Sequence, residues 1–145
     1  MLSARLIKKI EANAEEITRG AVADLQKNPR TPAYHRLEYD ELHRRAYSVY
    51  HNLGHWIGEK NEAPLEAAYG ELGRTRRAEK TPLAEVVFAL ILLKEHLRDY
   101  VLKQSLSDSA VEVYQEEELN LLVDRFFDRA LYHTVRGYEI GGGKA

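Results

Sequence analysis

The segment that most constrains the fold is Leu119–Tyr138, near the carboxyl end of the chain. Its apolar residues recur at steps of three and four, the spacing that places them on one side of an α-helix. They form two neighbouring stripes, so we expect the helix to pack deeply through a wide apolar face. The first stripe contains Leu119, Leu122, Phe126, Ala130 and His133, and the second contains Val123, Phe127, Leu131 or Thr134, and Tyr138.

Helical spacing also extends over the rest of the chain. Pro29 and Pro32 end the first helix, because a proline disfavours a helical conformation in the residue before it. Thr81 and Pro82 are typical of a helix start, with a capping hydroxyl followed by proline at the first helical position. Without any convincing strand pattern or internal repeat, the sequence predicts an all-α bundle of five to six helices. The predicted helices cover about residues 3–27, 41–60, 65–80, 82–104 and 107–138, with an interruption near 116–118.

Two glycines lie inside the third predicted helix. Gly70 and Gly73 each cost about 1 kcal/mol relative to alanine in a helix interior. Their presence predicts either a close contact with another helix or a bend. The segment around them does not match a glycine-rich phosphate loop, and no strand precedes it.

Length and composition indicate one ordinary globular domain. A chain of 145 residues is typical of a single domain, which we assign to residues 1–140. Gly141–Ala145 is mostly glycine and is predicted to be a flexible tail. The chain has no cysteine, which excludes disulfides, thiol catalysis and cysteine-ligated metals.

Charge and hydropathy bear on the partners. The formal net charge is −2, so no overall field attracts nucleic acid or an anionic membrane surface. The longest apolar run, Val86–Leu93, is too short to span a membrane. The first residues are interspersed with charges and lack the apolar centre of a signal peptide. We therefore expect a cytoplasmic protein with neither a nucleic-acid nor a membrane partner.

A ligand pocket is one hypothesis for the two most apolar helices. His96 and His133 lie on these helices and could contact a buried ligand such as haem or another tetrapyrrole. A histidine on an apolar face is more often a hydrogen-bonded core residue, and no nucleophile or pair of carboxylates accompanies either one. The residues assigned to this pocket are His96, His133, Tyr100, Phe126 and Ala130.

A subunit interface is a second hypothesis. Asp124, Arg125, Asp128 and Arg129 flank two phenylalanines, and charges of the same sign are four residues apart, which disfavours pairing within one helix. These charges therefore need partners on another helix or on another subunit, or else face solvent. We expect a homodimer in which the interface includes Leu6, Ile10, Asp128, Arg129 and Tyr138.

A basic cluster follows the glycines of the third helix. Arg74, Arg76 and Arg77 could hold a phosphate or carboxylate group. Basic side chains in the last turn of a helix also complement the helix dipole, which is the simpler interpretation.

Three histidines of the second helix suggest a metal site but do not complete one. His51 and His55 are four residues apart, as a chelating pair would be, and His43 lies on the same segment. No motif supplies a third ligand or a general base, so a solvated or subunit-facing surface is the simpler interpretation. We expect no metal, no catalytic residue and no enzymatic activity.

Four stretches carry a resemblance to a known family. They are KNPRTPAYHRL, YGELGRTRR (69–77), TPLAEVVFALILLKEHLRDYV (81–101) and DRFFDRALYHTVRGYE (124–139). Together they resemble the N-terminal sensory domain of RsbT co-antagonist proteins, the scaffolds of bacterial stressosomes. The resemblance covers about residues 2–139.

The resemblance implies a globin-like helical fold without haem, usually dimeric, that acts as an input module in stress-response or two-component signalling. No histidine occurs in residues 61–82, where a proximal haem ligand would precede the penultimate helix. The chain lacks the output domains of the longer relatives, so we expect a stand-alone sensor or a fragment. No cofactor is expected, and a signalling protein is the expected further partner.

Overall fold

The computed structural model describes residues 3–104 and 110–142. Within these ranges the chain forms seven α-helices and one 3-10 helix and contains no strand, so the predicted all-α class is confirmed. The helices are α1 (Ala4–Ala12), α2 (Ala14–Leu25), α3 (Tyr39–His51), α4 (Leu53–Gly58), α5 (Glu62–Ala78), α6 (Leu83–Gln104) and α7 (Ala110–Gly142), and the 3-10 helix is Pro32–Arg36.

The first two predicted helices are each divided at an asparagine. Asn13 separates α1 from α2, and Asn52 separates α3 from α4. The side-chain amide of Asn13 donates a hydrogen bond to the carbonyl of Lys9 at 2.8 Å, and that of Asn52 donates to Ser48 at 3.1 Å. Such local bonds compete with regular helix geometry, so both breaks have the same cause. The prediction of two unbroken helices was wrong at these residues.

The last helix is continuous where an interruption was predicted. α7 extends through residues 116–118 without a break, since glutamate is a good helix former. It also continues through Gly141 and Gly142, so the predicted flexible tail is wrong for these two residues. Residues 143–145 and the predicted helix start at Ser107 lie outside the described residues.

One glutamate of α7 caps the first helix of the chain. The carboxylate of Glu118 accepts hydrogen bonds from the backbone N–H of Ser3 at 2.9 Å and from its hydroxyl at 2.7 Å. Ser3 is fully buried. The contact satisfies an N–H at the start of α1 with a charged acceptor from a residue distant in sequence.

A single core lies between α7 and the other helices. The deepest residues of α7 are Leu119, Val123, Phe126, Phe127 and Ala130. Trp56 and Tyr69 pack on Phe126, with ring centroids 5.8 Å away in both cases. No helix of the described residues has the length and apolar character needed to cross a bilayer.

Candidate functional site

The contact between α5 and α7 is the most extensive helix pairing in the described structure. Its centre consists of Gly70 and Gly73 on α5 and Gly137 on α7. A Cβ atom at Gly73 would lie 2.1 Å from the carbonyl oxygen of Thr134, and one at Gly137 would lie 2.3 Å from the carbonyl oxygen of Gly70. The two backbones therefore touch. The predicted close helix contact at Gly70 and Gly73 is confirmed.

A polar clamp closes the first turn of α5 on α7. The carboxylate of Glu62 is 2.7 Å from Nε2 of His133 and accepts a hydrogen bond from Nε of Arg129 at 2.6 Å. Arg129 also donates to the carbonyls of Glu59 at 3.0 Å and Asn61 at 3.2 Å. The hydrogen bond with His133 is the main cause that lowers the pKa of Glu62; exposure limits the opposing effect of desolvation, and Arg129 lowers the pKa further. We call Glu62, Arg129 and His133 the clamp.

The opposite end of α5 contains a buried arginine. Arg76 is 1% exposed and donates to Glu41 of α3 and to Glu79, each at 2.9 Å. Its guanidinium also lies 5.3 Å from the ring centroid of Tyr34. Burial raises the pKa of Glu41, but hydrogen bonds from Arg76 and Arg45 more than offset this, and the net shift is downward.

The structure separates the three arginines of the predicted anion site. Arg76 is bound to carboxylates of its own chain, so its guanidinium is not free for an external anion. Arg77 lies over the ring of Tyr138, 5.2 Å from its centroid. Arg74 is exposed and approaches Gly141 of α7. This arrangement corrects the expectation of one basic cluster, since the three residues have three different environments.

The five residues of the predicted ligand pocket are also divided. His96 and Tyr100 line an open cavity of about 350 Å³ between α2 and α6, together with Gly20. Nε2 of His96 is 2.8 Å from a carboxylate oxygen of Asp24. His133 belongs to the clamp on α5. Phe126 and Ala130 are buried in the core.

The predicted interface residues have mostly intrachain roles. Ile10 is fully buried and Leu6 is half-buried against the core. Arg129 belongs to the clamp, and the hydroxyl of Tyr138 donates to the carbonyl of Thr81 at 2.6 Å. Ile10, Arg129 and Tyr138 are therefore corrected to intrachain positions. Asp128 is exposed.

The histidines of α3 form part of an aromatic ladder. Tyr39, His43, Tyr47 and His51 follow one another at successive turns, with ring centroids 5.8, 5.6 and 4.9 Å apart. Nε2 of His43 is 2.9 Å from Glu15. His55 lies on α4, beyond the break. No group of three residues that could hold a metal ion exists in the described part of the chain.

Sequence reasoning missed two residues of the α5–α7 contact. Gly137 was counted within the predicted last helix, but its role as the counterpart of Gly70 was not anticipated. A glycine inside a wide apolar face was the available signal, because it marks a place where another backbone can approach. Glu62 gave no signal, since it looks like any charged residue in a first helical turn.

Comparison with known proteins identifies no relative. No protein-family model matches the chain, and neither a curated protein nor a solved structure is similar to it.

Proposed function

We propose that this chain is a non-enzymatic sensory or signal-input domain in which α7 transmits the signal. The observation that carries the proposal is the position of α7. One face of this helix touches the backbone of α5, where Gly73 of α5 and Gly137 of α7 allow the close approach. The opposite face of α7 is exposed along its length. A change in the core can therefore reach the surface through one continuous element.

The mechanism depends on the different roles that glycines and larger side chains have in the α5–α7 contact. Glycines bring the two backbones together but present no side chains that interlock. The position of α7 along α5 therefore depends on the packing of Tyr69 on Phe126 and on the clamp at the first turn of α5. A ligand or partner that competes for Glu62 would favour a different packing of α7. Shifts of one to two ångströms between packed helices are a common form of switching.

The sequence motifs support the same function. The four stretches that resemble the sensory domain of RsbT co-antagonist proteins include both glycines of α5 and the clamp residues of α7. On this basis we propose a globin-like arrangement of the helices, a homodimer, a cytoplasmic location and a role in stress-response or two-component signalling. A signalling protein is the proposed recipient.

Hydrogen exchange measured by mass spectrometry tests the mechanism. Glu62→Gln removes the negative charge of the clamp, and Glu66→Gln changes an exposed residue of the same helix as a matched control. We expect exchange in residues 129–142 to be about tenfold faster in Glu62→Gln, with α6 unchanged. An identical exchange pattern in Glu62→Gln and Glu66→Gln would show that the clamp does not position α7, and the proposed mechanism would fail.

A small-ligand sensor is the alternative function, and the cavity beside His96 favours it. Its volume, about 350 Å³, is at the small end of the range for ligand pockets. Haem or another tetrapyrrole can be tested by adding haem to the purified protein. A Soret shift that His96→Ala abolishes would support this alternative, whereas an unchanged spectrum would exclude haem as the ligand.

A further inference from the structure

The exposed face of α7 carries a regular stripe of its own. Leu121 is 64% exposed and Tyr132 is 59% exposed, on the side of the helix that faces away from the core. Four exposed charged residues share this face with them at steps of three and four. The complete stripe, which we call the outer stripe, is Glu117, Leu121, Arg125, Asp128, Tyr132 and Arg136.

The outer stripe is self-complementary when it is read in opposite directions. Its midpoint lies between Phe126 and Phe127. Residues equally distant from this midpoint are either both apolar or of opposite charge. The three related pairs are Arg125 with Asp128, Leu121 with Tyr132, and Glu117 with Arg136.

We infer that the outer stripe binds a second copy of this chain, with the two α7 helices antiparallel across a twofold axis at this midpoint. Such an axis makes each contact occur twice, as in any isologous interface. Arg125 of each copy then meets Asp128 of the other, and Leu121 meets Tyr132. This inference rests on the proposed function and deepens it, because it names the partner of the helix that transmits the signal.

The charges of the outer stripe differ from the charges beside them on α7 in the ion pairs that the described residues form. Among the described residues, Glu117, Arg125, Asp128 and Arg136 form no ion pair. Their neighbours Asp124 and Arg129 do form ion pairs, with Lys94 at 2.9 Å and with Glu62 at 2.6 Å. Of the four charges predicted to need partners, Asp124 and Arg129 have them within the described chain, whereas Arg125 and Asp128 form no ion pair there.

Antiparallel pairing is favoured over parallel pairing by the same charges. In a parallel pair each residue of the stripe meets itself, so Arg125 would face Arg125 and Asp128 would face Asp128. Like charges in direct opposition weaken an interface, whereas opposite charges fix its register. Between residues 117 and 136 the stripe extends over about 28 Å of helix, which is sufficient for a specific contact.

Charge exchange tests the pairing by sedimentation velocity. Asp128→Arg places two arginines in opposition at each Arg125, and we expect the dissociation constant to rise at least about tenfold. Arg125→Asp should have a similar effect. The double variant exchanges the two charges and should restore the parent affinity, while Glu66→Arg, at an exposed position of α5, should leave it unchanged.

Crosslinking gives an independent readout because the chain has no cysteine. Leu121→Cys and Tyr132→Cys are prepared as separate proteins, and their circular dichroism spectra verify the fold. We expect a disulfide-linked dimer only when the two variants are mixed, since two copies of position 121 lie about 16 Å apart along the antiparallel helices.

The remaining outcomes would overturn the inference. A disulfide between two Leu121→Cys copies would mean a parallel pair, and a dimer without any of these crosslinks would mean another interface. A monomeric parent protein would exclude self-association through this stripe. None of these results would change the exchange pattern of Glu62→Gln, so the proposed transmission through α7 is tested separately.

Discussion

The α5–α7 contact and the α2–α6 contact each contain a glycine, but the glycine has a different role in each. At the α5–α7 contact a Cβ atom on Gly73 would lie 2.1 Å from a backbone oxygen, so only glycine fits. At the α2–α6 contact a Cβ atom on Gly20 would lie 3.7 Å from Nδ1 of His96, an ordinary van der Waals distance. The difference shows that a glycine in a helix does not by itself indicate contact between two backbones. It does so at Gly73, where the nearest atoms of the other helix are backbone atoms, and not at Gly20, where they belong to a side chain.

The largest effect is expected from adding one methyl group at Gly73, and Gly20 is the comparison. Gly73→Ala should destabilise the protein by about 3 kcal/mol or more, because α5 and α7 must move apart. Gly20→Ala should be neutral or should stabilise by up to about 1 kcal/mol, since alanine is the better helix former and Gly20 is exposed. Guanidinium denaturation followed by circular dichroism measures both. Equal changes in the two variants would contradict the comparison.

The second comparison concerns charge and uses a buried and an exposed arginine near the end of α5. Arg76→Met should cost about 2 kcal/mol, because it leaves Glu41 and Glu79 without their buried partner. Arg74→Met is the matched control on the exposed side of the same helix, and it should change the free energy of unfolding by no more than about 0.5 kcal/mol. A cost for Arg74→Met as large as that for Arg76→Met would show that burial does not set the strength of this contact.

The two histidine–carboxylate pairs sharpen the comparison further. The His133 side chain is 8% exposed and that of His96 is 28% exposed. His133→Ala should therefore lower the melting temperature more than His96→Ala, since removal of the more deeply buried ring also leaves a larger cavity. Thermal unfolding of the two variants at one pH gives the order. The reverse order would mean that the clamp is weaker than the pair between α2 and α6.

The smallest effect is a change in pH dependence. The pKa of Glu41 is lower in the folded protein than its ordinary value of 4.5, so its contribution to stability is complete above that value and is lost as the pH falls through the folded pKa. Glu41→Gln should therefore reduce, by less than about 1 kcal/mol, the stability lost between about pH 7 and about pH 3. Denaturation at the two pH values measures the difference. An undiminished loss in Glu41→Gln would assign the acid sensitivity to other carboxylates.

Sequence periodicity predicted the helices well because helical spacing depends only on residues that are close together in the sequence. The proline signals near Pro29 and Pro32 ended the first helical region correctly, and the capping signal at Thr81 preceded α6. Periodicity did not predict the breaks at Asn13 and Asn52, because the apolar spacing continues across both. The side-chain bonds that cause the breaks leave no trace in the apolar pattern.

The site was harder to predict, since it depends on residues far apart in sequence. Gly70 and Gly73 indicated a contact but not its partner, Gly137. His133 and His96 looked alike because both lie on apolar helices, and only their carboxylates distinguish them. Glu62 is 71 residues from His133. No local pattern connects two such positions.

The cap that Glu118 provides for Ser3 also constrains the order of events during synthesis. The ribosome releases the amino end first, so the first turn of α1 emerges long before its acceptor exists. Gly70 and Gly73 of α5 are likewise synthesised before Gly137, which they meet on α7. Neither contact can form until α7 has been synthesised. Completion of the fold is therefore delayed until this helix has been translated.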